Sequence, residues 1–259
     1  VIDTHCHLTF PEFRDRVGEV LDRASARDVS GCITISTTLP DAADALRIAK
    51  SHPRVWATAG VHPGYADQGP HDWAQLRVLA ADPRCVAFGE LGLDNHYPDP
   101  TAAVQRAVLD EQLAAIADAW QRGTRKPLVL HCREAFADLI PVLKASALDP
   151  ARMVFHCFTG SPDDMRALLD FGAMVSFTGV VTYRNAEDVR TAARLAPLDR
   201  IMVETDAPFL PPEPHRRERP CEPWMSSVTA RSLAELRGES WETFHTAINA
   251  NTERFFGVS

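Results

Sequence analysis

The chain has 259 residues, of which 45% are hydrophobic and 24% charged, and its formal net charge is −8. That make-up suits a globular protein with a sizeable core, and the acidic balance argues against one that coats itself in nucleic acid while leaving room for one that meets it only at a local basic rim. No apolar run reaches the roughly 18 residues of a membrane span, and no basic leader with an apolar stretch and a cleavage site opens the sequence.

Short apolar or β-branched runs recur along the chain, separated by longer segments of helical spacing. Strands are expected near Val1–Asp3, Cys32–Ser36, Val55–Ala59, Cys85–Phe88, Leu128–Leu130, Met153–Phe155, Met174–Phe177 and Ile201–Val203. Helices are expected at Ala102–Arg122 and Ala135–Ala147, the second with Phe136, Leu139, Ile140 and Leu143 on one face. Strand alternating with helix implies parallel pairing, and eight such units imply a (β/α)8 TIM-type barrel. The competing open, doubly wound sheet carries a Gly-rich loop after its first strand; here that place reads His5-Cys6-His7-Leu8. A Pro- and Arg-rich connection, Pro208–Pro223, precedes two extra C-terminal helices, the last with Trp241, Phe244, Ile248 and Phe255 on one face. With no repeat or linker, residues 1–259 read as a single domain.

Metal-type side chains cluster at the ends of these strands. His5 and His7 follow the first, His62 the third and Glu90 the fourth; His131 ends the fifth, His156 ends the sixth and Asp206 follows the eighth. In a parallel barrel those ends share one face, where the active site is built. Two imidazoles two residues apart point to one side of an extended strand and can share an ion. Histidines His52, His71 and His245 lack such placement and read as surface. Four imidazoles and two carboxylates exceed what one tetrahedral ion takes, so the set suits two ions. The expected first ion takes His5, His7 and Asp206 and the second His131 and His156, with the two oxygens of Glu90 bridging. Two cations lower the pKa of a water and clamp the attacking and leaving oxygens of a displacement. Asp206 can also accept the water's proton. Imidazole-rich ligation favours Zn, Mn, Fe or Co over Mg.

Arg133 lies two residues past His131, Arg184 past the seventh strand, and Arg216, Arg217 and Arg219 in the long loop. Guanidinium groups bind phosphate bidentately, so Arg133 and Arg184 are candidate substrate contacts, with the loop arginines read equally as a solvated run. His62 is assigned to a substrate phosphate or leaving group. Glu204 is expected to orient a ligand imidazole, and Asp94 either to do the same or to cap a turn. Cys6, Cys132 and Cys157, beside three of the histidines, read as small hydrophobes turned away by strand alternation. The six cysteines include no CxxC pair, which points to a reducing compartment and a cytoplasmic location.

With these residues in view, the chain resembles the TatD family of metal-dependent deoxyribonucleases over nearly its whole length. The likeness rests on DTHCHL at 3–8, GVHP at 60–63, GELGLD at 89–94, HCREA at 131–135, HCFTG at 156–160 and ETDAPFL at 204–210, with weaker matches at CEP 221–223 and NTERFF 251–256. The resemblance implies a barrel, places metals at His5, His7, Glu90, His131, His156 and Asp206, and puts His62 on the phosphate side. It also implies Mg-dependent exonucleolytic cleavage of DNA. The family commonly has Asn before its Glu-Pro pair, whereas this chain has Cys221, which puts a substrate role for that loop in doubt.

The leading expectation is hydrolysis of DNA phosphodiester bonds from the 3′ end with two divalent ions, Zn, Mn or Mg. Its partners would be DNA or a small phosphoester, with no membrane and no obligate protein partner. The same site acting on a small amide, lactone or aminoacyl ester is the alternative, since fold and metals leave the scissile bond open. A non-catalytic metal-binding scaffold is the third reading.

Overall fold

A computed structural model describes residues 1–258. Its strands are β1 (Ile2–Cys6), β2 (Gly31–Thr34), β3 (Val55–Ala59), β4 (Cys85–Asp94), β5 (Leu128–Arg133), β6 (Met153–Phe155), β7 (Met174–Phe177) and β8 (Ile201–Val203). Each pairs in parallel with the next, in the order β1 to β8. The ring closes where Cys6 bridges Ala207. There the His7 N–H donates to the Ala207 carbonyl and the Asp206 N–H to that of His5, at 2.8 Å each. This is a (β/α)8 barrel, not an open sheet.

The helices are α1 (Val17–Ser25), α2 (Leu39–Ser51), α3 (Trp73–Ala81), α4 (Ala102–Gln121), α5 (Phe136–Ala145), α6 (Pro162–Phe171), α7 (Glu187–Leu195), α8 (Ser226–Arg237) and α9 (Trp241–Phe256). Their starts follow from side-chain oxygens that satisfy otherwise orphaned N–H groups. Asp72 accepts from Ala74 and Gln75 N–H, and Ser161 and Asp164 cap α6 reciprocally with Pro162 at its first position. Of the two C-terminal helices, α8 completes the eighth β/α unit and α9 is the extra one.

Residues alternate between two cores, as a two-residue strand period requires. Val129, Met174 and Met202 pack inside the ring, whereas Leu128, Leu130, Val175 and Ile201 join the larger core under the helices. Phe255 and Phe256 of α9 belong to the inner cluster, so α9 plugs the N-terminal end of the barrel. Asn251 fixes it there, donating from Nδ2 to the Leu198 and Ile201 carbonyls at 2.8 Å each. With that end sealed, the opposite mouth is the open one.

Strands β1, β4 and β5 run further toward that mouth than their apolar runs suggest. His5, Glu90 and His131 therefore lie within strands, not after them. Backbone pairing is indifferent to side-chain polarity, while a reading by hydrophobic run stops at the first charge. The register also shifts between Asp3 and Cys6 and between Phe88 and Leu91. Such irregularities re-aim side chains, and these two sit at His5 and Glu90.

Candidate metal centre at the barrel mouth

The mouth holds a cavity of about 750 Å³ lined by His7, His62, Glu90, His131, His156 and Asp206 among others. His5 lies just beneath, fully buried. Glu90 is the hub. Its Oε1 lies 2.7 Å from His131 Nδ1 and 2.6 Å from His156 Nε2, and its Oε2 lies 3.4 Å from His5 Nε2. Across from it, Asp206 Oδ1 lies 3.5 Å from His5 Nε2 and 3.4 Å from His7 Nε2. One carboxylate thus faces His5 with one oxygen and His131 and His156 with the other, although the His5 and His156 rings themselves stack at 3.9 Å.

Further polar groups set the ring orientations. His131 places Nε2 3.0 Å from Asp94 Oδ2, so that nitrogen carries a proton and Nδ1 faces Glu90. Glu204 Oε1 accepts from the Cys157 N–H at 2.6 Å and lies 3.4 Å from His156 Nδ1. Its Oε2 accepts from Ser176 and Thr4 at 2.6 and 3.3 Å, tying β1, β6, β7 and β8 together below the cavity. His7 sets Nδ1 3.1 Å from the Ile35 carbonyl, which leaves Nε2 for the cavity.

These contacts need positive charge between them. With its proton on Nε2, a neutral His131 would turn a lone pair onto Glu90 Oε1 at 2.7 Å, and a neutral His156 would set one against either Glu90 or Glu204. Both ring nitrogens of His5 are buried without any hydrogen-bond partner, a loss of about 1–3 kcal/mol per buried group. A cation among the lone pairs would relieve the facing acceptors and satisfy Nε2 of His5, so the donor set fits divalent metal. Three groups could hold an ion: His5, His7 and Asp206; His62, Glu90 and His131; and His5, His156 and Glu204, which shares His5 with the first.

Protonation tells the same story. Burial alone would raise the Glu90 carboxyl, but the imidazoles gathered around it, His156 foremost, hold it well below the usual range. Burial likewise opposes charge on His7, His131 and His156, yet the facing carboxylates lift all three above an ordinary imidazole. His62 differs: burial drives it down to about 3. It is therefore neutral, and because its Nδ1 accepts from the Gly64 N–H at 2.9 Å, its proton sits on Nε2. His62 thus turns its Nε2–H toward the centre, 3.2 Å from His131 Nδ1 and 3.6 Å from Glu90 Oε1.

The family model of TatD-related DNases matches residues 2–257. The chain belongs to this family. It is 36% identical over 261 residues to the metal-dependent hydrolase YcfH of Escherichia coli K12, covering 100% of this chain and 96% of that one. It is also 36% identical to a 3′-5′ ssDNA/RNA exonuclease TatD of Pantoea vagans, with both chains covered in full. The crystal structure of YjjV, a TatD homologue from E. coli, superposes with a TM-score of 0.91 at 31% identity over 100% of this chain and 98% of that one.

Not every expected residue of this TatD-family chain reaches the mouth. Arg133 lines the cavity, with its guanidinium 5.1 Å from the Tyr97 ring. Arg184 does not: a 3-10 turn at Gly179–Thr182 carries the chain outward, and Arg184 is exposed away from the lining. The loop arginines are also outside the lining, and Arg216 instead stacks 3.4 Å over Tyr183. Cys6 is fully buried in the outer core, but Cys132 and Cys157 both line the cavity. Strand alternation fails for Cys157 because β6 has already ended and the residue takes a φ of 46°. His52, His71 and His245 are half-buried rather than free at the surface.

Two features escaped sequence reasoning. The lining includes Phe10, Tyr65, Tyr97 and Phe209, whose loops carry no periodic signal. Glu222 of the CEP motif acts as a strap, accepting from Arg16 at 2.9 Å and from Arg23 at 2.7 and 2.8 Å and so holding the long loop to α1.

Proposed function

We propose that this protein is a metal-dependent deoxyribonuclease that removes nucleotides from the 3′ end of DNA, and that Glu90, with the imidazoles and Asp206 around it, would help to hold two divalent cations. The observation that carries this reading is the division of Glu90 between two imidazole groups, Oε2 toward His5 and Oε1 toward His131 and His156. His5, His7 and Asp206 would hold one cation, and His131 and His156 the other. The cations would be Zn, Mn or Mg, with the imidazoles favouring the first two. They supply Lewis acidity and a water of near-neutral pKa.

The remaining work falls to side chains. Asp206, held ionised by His7 against the effect of burial, takes the water's proton. Arg133, without a carboxylate partner among the described residues, forks onto phosphate oxygens. The Nε2–H of His62 donates to the phosphate or to the departing oxygen. Asp94 and Glu204 keep His131 and His156 aimed. The names of the exonuclease relatives support nucleic acid as substrate. Six free thiols fit a reducing, cytoplasmic setting, and the continuous core fits one domain over residues 1–259. No helix among the described residues is long and apolar enough to cross a membrane.

The test uses single-stranded DNA labelled at either end. Chelation is expected to stop cleavage and Mn or Zn to restore it. The 3′ label should leave at once as mononucleotide, while the 5′-labelled strand shortens stepwise. Internal cuts or early loss of the 5′ label would overturn the direction, and no turnover with any metal would overturn the nuclease.

Proton linkage gives a second expectation. The facing carboxylates strengthen the hold of His7, His131 and His156 on their protons in the metal-free protein, so cations bind in competition with protons. Affinity should rise about tenfold per pH unit for each proton released. In the metal-free protein these raised imidazoles stabilise the fold fully below about pH 6.5, and the contribution fades as pH rises through their elevated values. Calorimetric titration in buffers of different ionisation enthalpy measures the release. A binding heat independent of buffer would refute it.

A further inference from the structure

The mouth is lopsided. Phe10 follows β1 and Phe209 follows β8, whereas Tyr97 follows β4 and Arg133 ends β5. In an eight-stranded ring β1 stands opposite β5 and β8 opposite β4. One wall is therefore apolar and aromatic, and the facing wall carries a guanidinium over a tyrosine.

Phe209 is 49% exposed, one of few large apolar side chains so placed among the described residues. It is also held there. Its N–H donates to the Asp206 carbonyl at 2.9 Å, and Leu210 takes a φ of 56°. The next residues lie against the turn after β7. A Cβ on Gly179 would meet the Leu210 carbonyl oxygen at 2.4 Å and Pro212 N at 2.6 Å. Tyr183 donates to the Pro211 carbonyl at 3.1 Å, and the Glu213 N–H to Thr182 at 2.8 Å. So tight a seam pins the backbone that carries Phe209. Phe10 lies flat on His7 at 4.6 Å and meets Phe209 edge-on at 6.1 Å.

A fixed, half-exposed ring beside the candidate metal centre offers a π-face to a flat ligand. Every nucleobase has such a face, and stacking of this kind tolerates sequence. We infer that Phe209, backed by Phe10, is the stacking platform for a nucleobase next to the scissile phosphate, opposite the Arg133 wall that takes the phosphate charge. The inference rests on the nuclease reading and sharpens it: a paired terminus must first unstack its base to reach Phe209, so a single-stranded end is the substrate.

The experiment compares two single-stranded oligonucleotides with the metal-loaded protein, one ordinary and one abasic at its last two 3′ residues. The wild type is expected to cleave the ordinary strand with a kcat/KM about tenfold higher, the difference lying in KM. In Phe209→Ala that ratio should fall to near one, and Phe209→Trp should restore it. Equal cleavage of both strands by the wild type, or an undiminished ratio in Phe209→Ala, overturns the platform while leaving the nuclease intact. Cleavage of neither strand overturns the nuclease and the platform with it.

Discussion

Replacing His131 and Asp206 together with alanine is expected to abolish cleavage of single-stranded DNA, lowering kcat at least about 1,000-fold. The two residues serve opposite halves of the centre. His131 Nδ1 lies 2.7 Å from Glu90 Oε1, and Asp206 Oδ1 lies within 3.5 Å of both His5 and His7. Groups that act as a unit lose nearly everything with the first removal, so each single variant should fall close to the double. Each should also bind less metal, one losing a nitrogen donor and the other an oxygen. Folding should survive with some loss of stability, because both side chains line the polar mouth and neither belongs to the apolar core. Kinetics on purified variants, with metal content measured alongside, checks this. Undiminished cleavage by the double variant would trace the activity to a contaminant.

The second large effect is on stability. Gly92→Ala is expected to cost about 3–5 kcal/mol, a large share of the 5–15 kcal/mol that keeps an ordinary domain folded. Gly92 lies in β4 at a φ of 153°, and a Cβ there would fall 1.9 Å from the His131 carbonyl oxygen and 2.8 Å from its carbon. Backbone atoms cannot swing aside as a flexible side chain can. The strands must separate at the point where β4 carries Glu90 and Asp94 and β5 carries His131, so metal affinity should fall with stability. Urea denaturation measures the first loss and metal titration the second. A variant with wild-type midpoint and wild-type affinity would contradict the packing.

Much of this was legible in the sequence because barrel strands are short apolar blocks between helical segments, and all eight fall where such blocks lie. The histidines and acids could be grouped from position alone, since strand ends share a face in a parallel ring. Register was not legible. The shifts beside His5 and Glu90 leave no mark in hydropathy, and the extension of β4 through Asp94 ran past the apolar run at Phe88. Irregular loops were the other blind spot. Arg184 was drawn toward the mouth by counting from β7, but the 3-10 turn spends that length going sideways. Phe209 and Tyr97 escaped for the same reason: in a loop, a neighbour in sequence says little about direction. Asp94 makes both of the contacts that sequence left as alternatives, Oδ2 toward His131 and Oδ1 accepting from the turn N–H groups of His96 and Tyr97.

The closure of the ring has a consequence beyond shape. Between β1 and β8 a single bridge and a few hydrogen bonds replace the ladder that joins every other neighbouring pair. Asp3, which burial pushes up to about 8, reinforces this join by accepting from Thr205 at 2.9 and 2.6 Å. His5 and His7 stand on one side of the join and Asp206 on the other. An ion gripped by all three would rivet the beginning of the polypeptide to a residue some two hundred positions later, so the part that performs the reaction would also keep the cylinder from springing open.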